Sequence, residues 1–286
     1  MRNFLIKSRT TLSIHDIDFI KASCGLGDYL LLRSPLTSEQ LEGFAFQDLA
    51  QRLCSRRLGV GADGLIAFTR RSGVSPSIHT ASTRFTPDVV PVDALFCAAR
   101  FLFDSGEYGV KPFTLQSKGR IFTVESVDSQ NFRLEVPSPT NSGQLPDWHT
   151  PLQREQYLEQ VVVPWETPQA LWTQFKPSPD AQSLRRSARL SAVNHPARPI
   201  VLFSVAQKDL ISAWVRLSSW VDHASAASAV ALGAHLDGLS SDEVLVSLND
   251  QPFFVQISFP GPRVWVTAPV RYLFQGLYAP DASFFA

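Results

Sequence analysis

Two short stretches hold the residue types that could do chemistry. In VVPVDALFCAARFLFDSG, residues 89–106, Pro91 and Asp93 open an apolar run, and Cys97 lies about two turns further in. In DHASAASAVALGAHLDG, residues 222–238, Asp222 and His223 stand at an equivalent start. A helix N-terminus carries partial positive charge and free N–H groups, so it suits an anion or a nucleophile of lowered pKa. His223 is a candidate general base, because imidazole titrates near neutral pH and the dipole favours its neutral form. Asp93 is the second candidate, although a carboxylate held ionised by a helix N-terminus is poorly tuned as a base. The plainer reading makes Asp93 a helix-start acid matching the dipole, and His223 a locally bonded histidine with no partner acid evident on the other helix. Pro91 has neither an ionisable group nor an N–H, and it fits a first helical turn. Cys97, Cys54 and Cys24 read as packing residues with no basic partner.

The elements that must position these residues form two similar halves. Residues 1–138 and 139–286 are the expected lobes, joined through the proline-rich VPSPTNSGQLPDWHTP with Pro137, Pro139, Pro146 and Pro151. In the first, a helix from Pro91 to about Ser105 precedes FTLQSKGRIFTVES and NFRLEVP, which alternate with period two. In the second, a helix from Asp222–His223 to near Gly238 precedes EVLVSL, FFVQISF and RVWVTAP. Phe122–Val124 matches Phe253–Val255, and Val136–Pro137 matches Ala268–Pro269, at an offset of about 130 residues. Both helices are apolar or small on every face, which predicts burial through the middle of each lobe. The polar segment 176–189 reads as a loop or a loosely packed helix.

The chain has 286 residues, with 26 Lys plus Arg against 26 Asp plus Glu, so a strongly basic nucleic-acid face is not expected. Three scattered cysteines build neither a disulfide framework nor a metal cluster. No apolar run has membrane-spanning length, and MRNFLIKSRTT lacks a signal-type hydrophobic region. A cytoplasmic protein without metal or cofactor, and without a membrane or nucleic-acid partner, is the expectation.

LCSRRLGVGADGLIAF, residues 53–68, resembles the signature of diaminopimelate epimerases, with Arg56, Arg57, Gly59, Val60, Gly61, Ala62, Asp63 and Gly64 in step. CGLGDYLLL (24–32) is similar to the family's GLGNDF strand, HPARPIVLF (195–203) to its HPLFPEGVNVEF segment, and VWVTAPVRYLFQG (264–276) to its VYMTGPAEHVFEG. The GVGADG run lacks the lysine of a phosphate loop and the spacing of a dinucleotide fingerprint. The resemblance implies an α+β fold of two pseudo-symmetric lobes, each a β-barrel-like sheet around a central helix. It also implies cofactor-independent stereoinversion by two cysteines, one at the start of each central helix, with family members commonly homodimers.

The chemical positions depart from that pattern. Aligned with the family's CGNGARC, the base falls on Pro91 and the GNG on Val92, Asp93 and Ala94. Aligned with ACGSGACA, the second base falls on His223 and the GSG on Ala224, Ser225 and Ala226. The clamp asparagines become Asp28 and about Ser82, a third falls near Tyr157, and the family's glutamate–arginine pair falls near Leu217–Ser218. The ligand-facing positions are therefore Asp28, Ala94, Ala224, Ser225 and Ala226. The leading expectation is a member that has lost two-cysteine epimerisation and binds an amino-acid-like small molecule or a protein, with a homodimer as a further option. A repurposed isomerase, racemase or lyase using His223 is the alternative. Retained diaminopimelate epimerisation would need Cys97 with Cys54 or Cys24, and Cys97 lies mid-helix. Phe253, Phe254, Phe284 and Phe285 belong to a contact or to the core.

Overall fold

A computed structural model describes residues 17–33, 44–69, 75–85, 90–106, 108, 111–136, 159–163, 171–175, 200–215, 222–259 and 263–279. The segment 176–189, the positions near Tyr157 and Leu217–Ser218, His195, and Phe284 and Phe285 lie outside the described residues.

The strands divide into two runs of seven. The first holds β1 (Ile17–Cys24), β2 (Gly27–Leu32), β3 (Gly64–Thr69), β4 (Ser77–Ala81), β5 (Phe113–Ser117), β6 (Arg120–Ser126) and β7 (Asn131–Val136). The second holds β8 (Glu159–Val163), β9 (Leu171–Phe175), β10 (Ile200–Gln207), β11 (Leu210–Val215), β12 (Glu243–Leu248), β13 (Gln251–Ser258) and β14 (Arg263–Tyr278). Neighbouring strands in the first run pair antiparallel, parallel, antiparallel, parallel, antiparallel, antiparallel. The second run repeats that order step for step. Each β4-to-β5 type of parallel step needs a crossover, and a central helix supplies it. These are α2 (Val92–Asp104) in the first run and α3 (His223–Leu236) in the second; α1 (Phe44–Leu53) crosses from β2 to β3.

The internal repeat expected from the sequence is thus present in strand order, pairing sense and helix placement. Even the tight turns agree. Lys118 and Gly119 join β5 to β6, and Asn249 and Asp250 join β12 to β13, with φ of 49° and 76° in one and 49° and 63° in the other. Two successive positive φ values match the right-handed twist of the strands they connect.

β14 is long because it serves both halves. Its first part pairs with β13 and β7, and its second part pairs with β1. The bond to β1 closes β1–β7 and β14 into an eight-stranded barrel. Phe122, Val124, Phe132 and Leu134 point inward from one half, and Phe253, Val255, Val264 and Val266 from the other. Phe254, next in sequence to the fully buried Phe253, faces outward, as strand alternation requires. One core embraces both central helices, and a smaller cluster lies beneath α1.

Both central helices are buried along most of their length, α3 without interruption from His223 to Ala234. The alanines and serines of α3 let the surrounding strands come close. Gly233 is the only residue without a side chain in that stretch, so the small size comes from Ala and Ser rather than from backbone looseness.

Candidate functional site

The two central helices meet at their N-termini, and there the sequence positions converge. Pro91 is the N-cap of α2, with extended φ and ψ of −67° and 123°, and its carbonyl accepts the Leu95 N–H. Asp222 is the N-cap of α3, and its carbonyl accepts the Ala226 N–H. Neither cap residue bonds its own helix through a side-chain cap. The first N–H groups of a helix need acceptors from elsewhere, and here each helix takes them from the other.

The exchange is reciprocal. Val92 N–H donates to Asp222 Oδ2 at 2.8 Å and Asp93 N–H to Asp222 Oδ1 at 3.0 Å. His223 N–H donates to Asp93 Oδ2 and Ala224 N–H to Asp93 Oδ1, both at 2.9 Å. Each carboxylate therefore takes the first two N–H groups of the opposite helix in bidentate fashion. Ser225 Oγ lies 2.5 Å from Asp222 Oδ2 and completes that side. His223 Nδ1 lies 3.2 Å from Asp93 Oδ2. The histidine thus has a partner acid on the opposite helix, where the sequence shows none. Asp93 is likewise more than a matching charge for its own dipole, because its hydrogen-bond donors belong to α3.

The site is closed over by the β1–β2 turn. Gly25 has φ of +58°, and a Cβ there would lie 2.8 Å from Phe253 Cζ and 3.1 Å from His223 Cβ. A Cβ on Gly27 would lie 3.0 Å from Asp93 Oδ2. The CGLGD turn therefore rests directly on His223 and Asp93, and only glycine permits the approach. Asp93 is fully buried, and His223 and Asp222 are nearly so. Ala94, Ala224 and Ala226 are buried in the first turns behind them, with Ser225. Tyr29 Oη and His223 Nε2 are buried with no hydrogen-bond partner among the described residues.

Electrostatics here run against thiol chemistry. Burial pushes the Cys24 thiol well above its ordinary value, and the charges of Asp93, Cys97 and Asp222 add to the effect. Burial and Asp93 do the same to Cys97. Burial, with Asp28 and Asp63, pushes Cys54 up to about 12. A thiol must ionise to act as base or nucleophile. Accordingly, iodoacetamide at pH 8 should leave all three thiols unmodified in the folded protein and alkylate three in urea, as read by intact mass. Rapid native labelling at Cys97 would contradict this arrangement.

Asp28 serves a different cluster. It pairs with Lys21 at 2.8 Å and with Arg56 at 2.6 Å, and its N–H donates to Asp63 Oδ2. Arg56 also reaches Asp63 at 3.0 Å, and Arg84 joins Asp63 from the other side. Lys21 Nζ donates to the Gly61 carbonyl at 2.6 Å. Burial works to raise the Asp28 carboxyl, but the bonds from Arg56 and Lys21 outweigh it and hold it below the usual carboxylate range. Asp63 moves the other way, raised by burial and by the Asp28 charge. Ser82 Oγ donates to the Asp63 carbonyl and is buried. The GVGADG run is therefore pinned to β2 by its own acids and bases. Arg56 has a structural role, tying Asp28 to Asp63.

The residue that sequence reasoning passed over is Asp222. Its signal was its own type: an acid at the helix start, 129 positions after Asp93, where the resembling family has alanine. Among the described residues no group of three or more His, Cys, Asp and Glu is arranged to hold a metal, and no helix is long and apolar enough to cross a membrane.

No protein-family model matches the chain. A diaminopimelate epimerase from Carboxydothermus hydrogenoformans is 23% identical over 283 residues, covering 92% of this chain and 99% of that protein. A hydroxyproline epimerase from Agrobacterium vitis, solved with trans-4-hydroxy-L-proline bound, superposes with a TM-score of 0.57 at 12% identity, over 94% of this chain and 92% of that one. A phenazine biosynthesis protein of the PhzF family from Enterococcus faecalis gives 0.59 at 11% identity, over 92% and 99%. The two-lobed α+β fold is that of these epimerase-like and isomerase-like proteins.

Proposed function

We propose that this chain is an epimerase-like protein that has lost two-thiol epimerisation and works by binding. One observation carries the reading: the N–H groups at the start of both central helices are occupied by the chain's own carboxylates. In the resembling family those helix starts bear the catalytic cysteines and donors that receive charge developing on the substrate carboxylate. Here Asp93 and Asp222 saturate them, Pro91 and His223 replace the thiols, and the Gly25–Gly27 turn lies over the result. Donors already bonded to internal anions offer little to an external one. Leu273, Phe274 and Leu277, half-exposed along the outer part of β14, supply apolar surface for a protein contact or a second copy of the chain.

Solvent exchange tests the reading. The purified protein, incubated in deuterated water with diaminopimelate, proline, hydroxyproline and a panel of other amino acids, should incorporate no deuterium at the α-carbon above the protein-free rate. Time-dependent incorporation with any of them would overturn it.

A second reading has its own support. Asp93 can fix the His223 tautomer with hydrogen on Nδ1, leaving the Nε2 lone pair free to accept a proton. That is the arrangement of a one-base isomerase or lyase. Burial of His223 weighs against it, since a base must reach its substrate proton. If deuterium does enter a substrate and His223→Ala abolishes that incorporation, the second reading replaces the first.

A further inference from the structure

Two buried carboxylates between two helix N-termini pose a charge-balance problem. Each N-terminus is worth about half a positive charge, so the pair supplies roughly one. Asp93 and Asp222, both ionised, would bring two negative charges into a fully buried site. The groups packed around them offer no compensation. β1 contributes Cys24, β2 contributes Tyr29, and α2 contributes Cys97, all buried. Asp28 and Asp63 lie a shell further out and are themselves acids, and the nearby cations Lys21, Arg56 and Arg84 are engaged by them. Among the described residues neither Asp93 nor Asp222 has a lysine or arginine ion-pair partner; His223 is the one basic group in contact.

We infer that Asp222 keeps a proton at neutral pH, so that the crossed acids form a one-proton latch between the two lobes that loosens when that proton leaves. Three observations place the proton on Asp222 rather than on His223. An imidazolium would turn Nε2 into a buried donor without an acceptor, whereas a neutral ring leaves only a lone pair there. Asp93 already accepts three hydrogens, two from the backbone and one from Nδ1, as an ionised acid can. Ser225 Oγ, 2.5 Å from Asp222 Oδ2, donates to it as an ionised acid, and being a hydroxyl it can instead accept from a protonated one, which the Nδ1–H beside Asp93 cannot. Burial and the Asp93 charge push the Asp222 carboxyl in the same direction, well above the ordinary range.

The sign of the pH dependence follows. In the unfolded chain Asp222 releases its proton near the ordinary aspartate value of about 3.9. In the folded protein the release comes later. The stability from this group is therefore full below about pH 4 and declines as pH rises toward the folded value. Ionisation adds the second negative charge between the helices. Repulsion then weakens the four crossed N–H bonds, which are the direct tie between α2 and α3.

Carbon-detected NMR of the full chain labelled with carbon-13 reads the state directly. At pH 7 the Asp222 Cγ, assigned through its own Cβ, should show the shift of a neutral carboxyl, and His223 should show hydrogen on Nδ1 alone. Between about pH 4 and the pH at which the folded carboxyl ionises, the unfolding equilibrium constant should rise by up to about tenfold per pH unit, and above that step it should level off. Hydrogen exchange at Val92, Asp93, His223 and Ala224 should accelerate beyond the intrinsic hydroxide effect. Asp222→Asn should remove the step. An ionised Asp222 or an imidazolium at His223 at pH 7 would overturn the inference. The wild-type spectrum decides this even if the variant fails to fold. Neither result depends on deuterium incorporation into any substrate, so this inference and the non-catalytic reading fail separately.

Discussion

Asp222→Ala should cost the protein about 3 kcal/mol of stability, several times the effect of an ordinary surface acid. The substitution leaves two buried N–H groups, of Val92 and Asp93, without the acceptor they have in the wild type. Each such orphan costs about 1–3 kcal/mol. The loss exceeds the typical ~1 kcal/mol of a lost N-cap, because these donors are sealed from water. Asp93→Ala should be similar, through His223 and Ala224. The double variant removes both sets of bonds and, with Asp222 neutral at this pH, has no repulsion between the acids to relieve, so its loss should lie near the sum of the two singles. Urea midpoints at pH 6, compared at constant slope, measure all three. A loss below 1 kcal/mol for Asp222→Ala would show that water or a side-chain shift replaces the crossed bond.

The frame was legible because it is written in patterns that survive divergence. Period-two alternation marked β6 and β7, their place after the second helix marked β12 and β13, and all-apolar or all-small composition marked α2 and α3 as buried. The offset of about 130 between Phe122–Val124 and Phe253–Val255 carried the repeat. The full correspondence, seven strands against seven, was not legible, because parallel and antiparallel pairing leaves little trace in a single strand. The role of β14 in closing the first barrel was hidden for a similar reason: its pairing with β1 joins residues more than 240 positions apart. At the site, the sequence showed which thiols and clamps were replaced. It did not show what the replacements do, since Asp93 and Asp222 act on the backbone of a helix 130 residues away. An N-cap is ordinarily local, read from a residue and the turn that follows it. Here the cap is tertiary, and only the meeting of α2 with α3 reveals it. His223 illustrates the same point, for its partner acid is one of the residues that read most simply as a local dipole match.

Restoring both thiols should restore no chemistry. The variant Pro91→Cys with His223→Cys places cysteines where the resembling family has its bases, yet α-proton exchange on diaminopimelate should stay at background. Enzymes accelerate such steps by at least about 10⁶-fold, so a recovered site would be obvious. Two causes operate against recovery. First, the helix starts remain saturated: Asp93 and Asp222 still accept the N–H groups of residues 92, 93, 223 and 224, since those bonds use backbone donors. Second, the new thiols sit beside the acids. A neighbouring carboxylate raises a thiol pKa, as Asp93 and Asp222 already do for Cys24, and this opposes the lowering that a helix N-terminus would provide. The Gly25 turn also stays packed on residue 223, too close even for a Cβ of its own. Returning the acids to the family's types, with Asp93→Asn and Asp222→Ala added to the two cysteines, removes the first cause and most of the second. If the double variant alone gains exchange, the crossed carboxylates do not block the site, and the non-catalytic reading loses its main support. If exchange appears only when the acids are also replaced, the block lies in Asp93 and Asp222, and the loss of the thiols was not by itself what silenced the fold.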